Sequence, residues 1–308
     1  MSLDYENALA QGYLPIREVA RSTGVNPVTL RAWERRYGLV VPHRTPKGHR
    51  LYSSEHVARI QAILTWLNRG VAVSQVKDLL DNRAPENPAS HNDWDDLLQD
   101  LLRAIGRQAE RQLDDAFNRA LALYPPRTLC EQLLLPLLAE LEQRWQGAQL
   151  GAQLERVFFH SWLRSKLGAR LYHNNRQQRS APLLLVNLSQ QPMEPGLWLC
   201  AWLAGSADCP VEVFDWPLPA NELALALDHI APRALLLYSS QALDSQQLRR
   251  EIPRLFGACS IPLLLAGPAA HIHRDELQRL YGLHLLADPL AVLNRLQELD
   301  VLAGHPHD

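Results

Sequence analysis

The sequence predicts a multidomain protein of three successive parts: a small all-α head with a β wing over residues 1–83, a four-helix bundle over 93–178, and an α/β domain with a five-stranded parallel sheet over 179–308. Three observations carry that reading. The first eighty-odd residues are short amphipathic stretches cut by turn chemistry, the middle repeats leucine at helical spacing, and the last third alternates continuous apolar bursts with helical stretches. A chain of 308 residues has room for two or three domains, each with its own core.

In the head, Ile16, Val19 and Ala20 form one apolar face, and Ser22-Thr23-Gly24 makes a turn. Asn26 then caps a second helix that has Pro27 at its first position, carries Val28, Leu30, Ala32 and Trp33, and stops at Gly38. Helix, tight glycine-containing turn, helix is the helix-turn-helix pattern. Beyond it, the Pro46-Lys47-Gly48 turn between two short extended runs reads as a hairpin, the wing of a winged helix-turn-helix. Ser54 with Glu55 is expected to open a helix running through Leu67, and Ser74 to cap a shorter one through Leu80. Residues 84–92, with two prolines and no large apolar residue, are expected to be a linker.

The bundle is read from four stretches, DDLLQDLLRAI, QLDDAFNRALALY, RTLCEQLLLPLLAELEQRW and QLERVFFHSWLRSKLGARLYH, separated by short breaks. The strands are read from LLLVNL (183–188), VEVF (211–214), ALLLYS (234–239), IPLLLA (261–266) and LHLLA (283–287). Continuous rather than alternating hydrophobicity is what strands buried on both faces require, and that places them in a parallel sheet.

Composition excludes several classes. A hydrophobic fraction of 47% argues against disorder, no apolar run approaches the ~18 residues that cross a bilayer, and the first residues lack a signal pattern. A cytoplasmic protein without membrane contact is expected. Cys130, Cys200, Cys209 and Cys259 are scattered with no CxxC pair, so they read as structural thiols rather than metal ligands. His271 and His273 likewise lack ligand partners at metal spacing. No nucleophile–base pair, GxGxxG or paired carboxylates stand at a convincing spacing, which argues against an enzyme.

Charge separates the parts. Residues 1–83 hold twelve Lys and Arg against seven Asp and Glu, a net +5, and the remainder carries −7. Between Leu14 and Tyr52 the tally is eight basic to two acidic. A basic module on an acidic body suits a head that binds a polyanion.

The run YLPIREVARSTGVNPVTLRAWERRYGLVVPHRTPKGHRLYSSEHVARI, followed by GVAVSQVKDLL, resembles the MerR family over about seventy residues in register. The resemblance implies a transcriptional regulator that binds near-palindromic promoter DNA as a homodimer or higher homo-oligomer, acting with RNA polymerase. It places Thr29, Arg31, Arg35 and Arg36 at the DNA; from their places on and beside that helix, Arg35 is expected to read a base, Arg31 and Arg36 to hold phosphates, and Arg17 to hold the adjacent backbone. The wing offers Arg44, Lys47, His49, Arg50 and Tyr52. Each arginine has a plainer alternative as a surface charge or a partner of Glu18 or Glu34, and Trp33 is expected to pack against the wing.

The order of head, bundle and five-stranded domain resembles the cobalamin-dependent light-sensing repressors and the curli-regulating branch, and implies a flavodoxin-like cobalamin-domain fold. In the cobalamin type an acid-x-His-x-x-Gly motif follows the first strand. Counting back from Gly196 puts Met193 at the histidine and Gln191 at the acid. A thioether is a weak ligand for cobalt(III), and Gln cannot support an imidazole as a carboxylate does. In the bundle, Trp145 is followed after nine residues by Glu155-Arg156, where Arg156 replaces the family's histidine; Gly267 stands at the glycine turn beside the nucleotide tail. No cofactor is therefore predicted. Base-on cobalamin, a different ligand, and a pure protein-contact role controlled by a separate sensor protein all stay open on sequence alone.

Overall fold

Residues 5–81, 93–147 and 150–302 are described by the structure, a computed structural model, so the linker expected at 84–92 lies outside the described residues. The chain divides into two compact units, Met1–Glu155 and Arg156–Asp308.

Unit one begins with α1 (Tyr5–Ala10), β1 (Leu14–Pro15), α2 (Ile16–Thr23) and α3 (Pro27–Ala32). The Asn26 side chain accepts the Thr29 N–H at 2.9 Å and Pro27 takes the first helical position, so α3 starts as its sequence dictates. α3 continues into a five-residue π turn, Trp33–Tyr37. The wing follows as β2 (His43–Arg44) and β3 (Arg50–Tyr52), antiparallel with Arg44 opposite Arg50. β1 joins the other side of β3, giving a three-stranded sheet in the order β1-β3-β2. Two residues are too few to show a period, and β1 was not expected.

α4 (Ser54–Asn68) and α5 (Val73–Leu80) complete the head. Their caps differ from expectation. Ser53, extended and outside the helix, caps α4: its hydroxyl accepts the His56 N–H at 3.4 Å and His56 Nδ1 accepts the Ser53 N–H at 3.1 Å. Burial first, then the neighbouring His43, lowers the pKa of His56, which favours the neutral ring that can accept. Ser74 lies inside α5 and its hydroxyl donates to Asp93 at 2.8 Å.

The four helical stretches are present as α6 (Asp93–Gly106), α7 (Glu110–Leu123), a rod made of α8 (Pro126–Leu129), a π turn at Cys130–Leu134 and α9 (Leu135–Trp145), and α10 (Ala152–Asn175), which crosses from unit one into unit two. Buried Leu101, Leu102 and Ile105, then Leu113, Phe117 and Leu121, recur every three to four residues and give α6 and α7 their packed faces. The rod widens just before Pro136, whose missing N–H breaks the regular hydrogen-bond ladder; a third π turn, Gln247–Glu251, precedes Pro253 in the same way.

Unit two contains β4 (Leu183–Asn187), α11 (Pro195–Ser206), β5 (Val211–Phe214), α12 (Ala220–Ile230), β6 (Ala234–Tyr238), α13 (Ile252–Ala258), β7 (Leu263–Ala266), α14 (Pro268–Ile272), α15 (Arg274–Leu277), β8 (His284–Leu286) and α16 (Pro289–Glu298). All five strands are parallel, in the order β5-β4-β6-β7-β8, as the apolar bursts predict. Leu184, Val186, Leu235, Leu237, Leu263 and Leu265 share one core cluster with Ile252, Leu255 and Ala269. The alternating Leu183, Leu185, Leu236 and Leu264 are as deeply buried and face the other side. α11 is apolar all round and buried without a break from Gly196 to Gly205. Among the described residues no helix is long and apolar enough to cross a membrane.

β5 is an edge strand, and its first residue is paired by a side chain in place of a strand. Asn175, the last residue of α10, donates to the Val211 carbonyl at 2.7 Å and accepts the Val211 N–H at 3.0 Å. Asn175→Ala leaves both backbone groups at nearly buried Val211 unpartnered, and should cost about 1–3 kcal/mol. Urea unfolding checks this: the midpoint falls at constant slope, whereas an unchanged midpoint contradicts the role.

Candidate nucleic-acid interface and sheet-end crevice

Seven of the ten expected DNA contacts form the exposed surface of the head: Arg17 on α2, Arg31 on α3, Arg35 and Arg36 on the π turn, and Arg44, Lys47 and His49 on the wing. The other three are placed differently. Thr29 is 0% exposed and Tyr52 1%, because Thr29 turns inward from α3 and Tyr52 ends the central strand of the small sheet; both belong to packing rather than to the surface. Burial, reinforced by the charge of Glu34, pushes the Tyr52 phenol up to about 12. Arg50 keeps only 13% of its side chain exposed.

Glu34 explains Arg50. Its two carboxylate oxygens each take one wing arginine: Arg44 Nη2 donates to Oε1 at 2.6 Å and Arg50 Nε to Oε2 at 2.6 Å. The π turn and the wing are thereby joined through a charge-assisted fork. Burial alone would raise the carboxyl pKa, but the hydrogen bonds and charges of Arg50 and Arg44 outweigh it and hold Glu34 below its ordinary 4.5. From α4, Arg59 donates to the Leu39 carbonyl at 2.6 Å and fixes the chain leaving the π turn.

Trp33 is fully buried, and its indole N–H donates to the carbonyl of Leu123, at the end of α7, at 2.8 Å. A contact ninety residues away in sequence leaves no local signal.

Among the positions tied to the cobalamin resemblance, Trp145 and Glu155 meet in unit one: Glu155 accepts from Arg144 Nη2 at 2.8 Å and from Trp145 Nε1 at 3.4 Å. Arg156, Gln191, Met193, Gly196 and Gly267 belong to unit two. Arg156 is half-buried and Met193 is 5% exposed. The strand order of unit two reverses between β4 and β6, and the ends of those strands form the crevice where open α/β sheets bind ligands.

In this protein a side chain of its own lies there. Tyr238, the last residue of β6, sits so close to Gly196 that a Cβ there would collide with its phenol oxygen and ring. Gly267, at φ +91°, faces the same ring: a Cβ would stand 2.9 Å from Tyr238 Cζ and 2.7 Å from the Ser239 carbonyl. Both glycines are needed by the tyrosine. The loop after β4 is closed as well. Asn187 donates to the Gln191 carbonyl at 3.1 Å, and nearly buried Glu194 accepts from the Ser240 N–H at 3.0 Å and its hydroxyl at 2.7 Å. Sequence reading passed over Glu194 and Tyr238, since a tyrosine ending an apolar burst looks like any strand residue. His273 accepts the Leu243 N–H at 2.9 Å, and among the described residues no group of three or more His, Cys, Asp or Glu could hold a metal.

The Glu34 fork predicts a pH dependence. With its folded pKa depressed, Glu34 stabilises the head fully above its ordinary 4.5, and that contribution fades as pH falls through the lower folded-state range. Thermal melts between about pH 6 and about pH 3 should show a component of acid destabilisation that Glu34→Gln removes. Identical pH profiles for the two proteins contradict it.

Comparison with known proteins matches two stretches of the chain to family models. The profile of the MerR HTH family regulatory protein matches residues 14–83, and that of a B12 binding domain matches residues 97–170. The HTH-type transcriptional regulator MlrA of Escherichia coli (strain K12) is 33% identical over 238 residues, covering 75% of this chain and 90% of that protein. MlrA of Salmonella typhimurium (strain SL1344) is 33% identical over 199 residues, 64% of this chain and 78% of that protein. The HTH-type transcriptional repressor CarH of Myxococcus xanthus is 25% identical over 287 residues, 88% of this chain and 94% of that protein. These relatives are regulators rather than enzymes. With a winged helix-turn-helix of this form and a relative of that identity matched over nine-tenths of its length, the chain belongs to the MerR family of DNA-binding transcriptional regulators, in the group that carries a B12-binding-type domain behind the DNA-binding head.

Proposed function

We propose that the protein binds near-palindromic promoter DNA as a dimer. α3 and its π turn enter the major groove, Arg35 reads a base edge, and Arg31 and Arg36 hold phosphates. Arg17, Arg44, Lys47 and His49 flank them on the backbone. One observation carries this reading: the acid of the π turn, Glu34, is turned to the wing and neutralised by Arg44 and Arg50, so exposed Arg31, Arg35 and Arg36 present positive charge without a competing carboxylate. Arg50 is assigned to bracing the wing.

Arg35→Ala should cost about 1–3 kcal/mol on the specific site and relax sequence preference, whereas Lys47→Ala should weaken all sequences alike and lower the salt slope by about one. Equal losses on specific and random DNA for Arg35→Ala contradict the base-reader assignment. Two heads on a two-fold axis are needed for a near-palindrome, so the protein should have at least dimeric mass in solution and on its operator. A monomer in both refutes that part.

The B12-binding-type domain raises the question of cobalamin, and here the residues do not fit the histidine-ligated mode. Met193 offers a thioether where an imidazole is required, Gln191 offers no carboxylate behind it, Arg156 brings charge where the resemblance has a histidine, and Tyr238 fills the crevice between Gly196 and Gly267. We infer that cobalamin is not held in that way and that the carboxy-terminal half works through protein contacts, with RNA polymerase or a separate sensor protein as candidate partners. Protein incubated with adenosylcobalamin in the dark and freed of excess ligand should keep no visible absorption, and illumination should leave its DNA affinity unchanged. Stoichiometric retention with release of DNA by light contradicts this. The combined changes Gln191→Asp, Met193→His, Arg156→His and Tyr238→Ala should move the protein toward binding.

A further inference from the structure

Unit one contains a seam between the head and the helices that follow it, built in each case from the polar tip of an aromatic side chain and a backbone group left over at a helix end. Leu123 is the last residue of α7; Tyr124 turns extended at φ −117°, ψ 141°, and its N–H reaches back to the Ala120 carbonyl. The Leu123 carbonyl thus has no donor within its helix, and the buried indole of Trp33 supplies one at 2.8 Å. Trp94, at the start of α6, donates to the Gly70 carbonyl at 3.0 Å, in the turn between α4 and α5. Its ring lies 4.2 Å from that of Tyr124, whose hydroxyl accepts the N–H of Val73, the first residue of α5, at 3.5 Å. Thr128 in α8 adds a bond to Asn68 Oδ1 at 2.8 Å.

Hydrogen bonds are directional, so this seam fixes an angle as well as a separation. It also reaches the reading surface by the shortest route. Trp33 is the first residue of the π turn, and exposed Arg35 and Arg36 follow two and three residues later. We infer that Trp33 is a positioning residue for sequence reading: α7, through the Leu123 carbonyl, sets the pose of the π turn and hence of Arg35, so discrimination between DNA sequences depends on the helical part of unit one. This rests on the reading of α3 and its π turn as the DNA-reading element. The helices on the far side of the seam lie in the region matching the B12-binding-domain profile. A change among them is therefore delivered to the DNA contacts through three backbone-anchored aromatic side chains, Trp33, Trp94 and Tyr124.

The test uses the full chain. Trp33→Phe keeps a buried ring and the net charge but removes the donor, leaving the half-buried Leu123 carbonyl without it. Affinity for the specific site should fall about tenfold or more, while affinity for random-sequence DNA and the salt slope of binding stay as in the wild type. The double variant Trp33→Phe, Arg35→Ala should discriminate no worse than Arg35→Ala alone, because both changes remove the same readout. Tyr124→Phe, which deletes a single oxygen on the helical side and keeps the fold within reach of measurement, should show a smaller loss of the same kind and faster amide exchange over residues 33–38. Wild-type discrimination in both aromatic variants, with discrimination lost in Arg35→Ala, overturns the inference alone. Equal loss on specific and random DNA in Tyr124→Phe also overturns it. Unchanged discrimination in Arg35→Ala as well overturns the DNA-reading assignment and the inference with it.

Discussion

The five-residue turn Trp33–Tyr37 is the constraint on which the rest of the head depends. Trp33 points inward and is held from α7, Glu34 points to the wing and holds two arginines, and Arg35 and Arg36 are left on the outside. Neighbouring side chains are thereby given three different tasks by one short piece of widened helix. The Glu34 fork stays favourable because the carboxylate is only partly buried and meets two cations, so desolvation of the acid is offset on both oxygens. An acid on a DNA-reading element would otherwise repel phosphate; paired this way it serves the geometry of the wing.

Most of the fold was legible in the sequence because its signals are local. LLLVNL and ALLLYS became strands shortened by one residue at the end, fully buried as continuous apolar bursts require, and VEVF became a strand at the residues expected, at the edge of the sheet with Glu212 exposed. Asn26-Pro27 marked the start of α3 by chemistry that needs no distant partner. What was misread depends on distant partners. The bond from Trp33 to Leu123 leaves no local signal; Tyr52 was expected at the surface and is buried, its ring edge-on to that of His56 in α4; Ser74 has the chemistry of a cap but is drawn to Asp93. Ser53 and Ser54 differ only in backbone conformation, which sequence does not display.

At the sheet-end crevice two glycines lie against a side chain of the protein itself. Gly196 and Gly267 are positions where a family resemblance leads one to expect a ligand against bare backbone, yet in this chain both are occupied by the ring of Tyr238. The glycines are structurally required with or without a cofactor, because a Cβ at either would strike the tyrosine. Their presence in the sequence is therefore not evidence for a ligand, whereas the residues at 191 and 193 bear directly on one.

Amide hydrogen exchange of the full chain with and without its operator tests the central claim, that DNA is read by α3 with its π turn and flanked by the wing. Binding should slow exchange in peptides covering residues 27–37 and 43–50 and leave the strands β4, β6 and β7 unchanged. Protection confined to the helices beyond residue 93 or to the sheet, with none over 27–37, would contradict it.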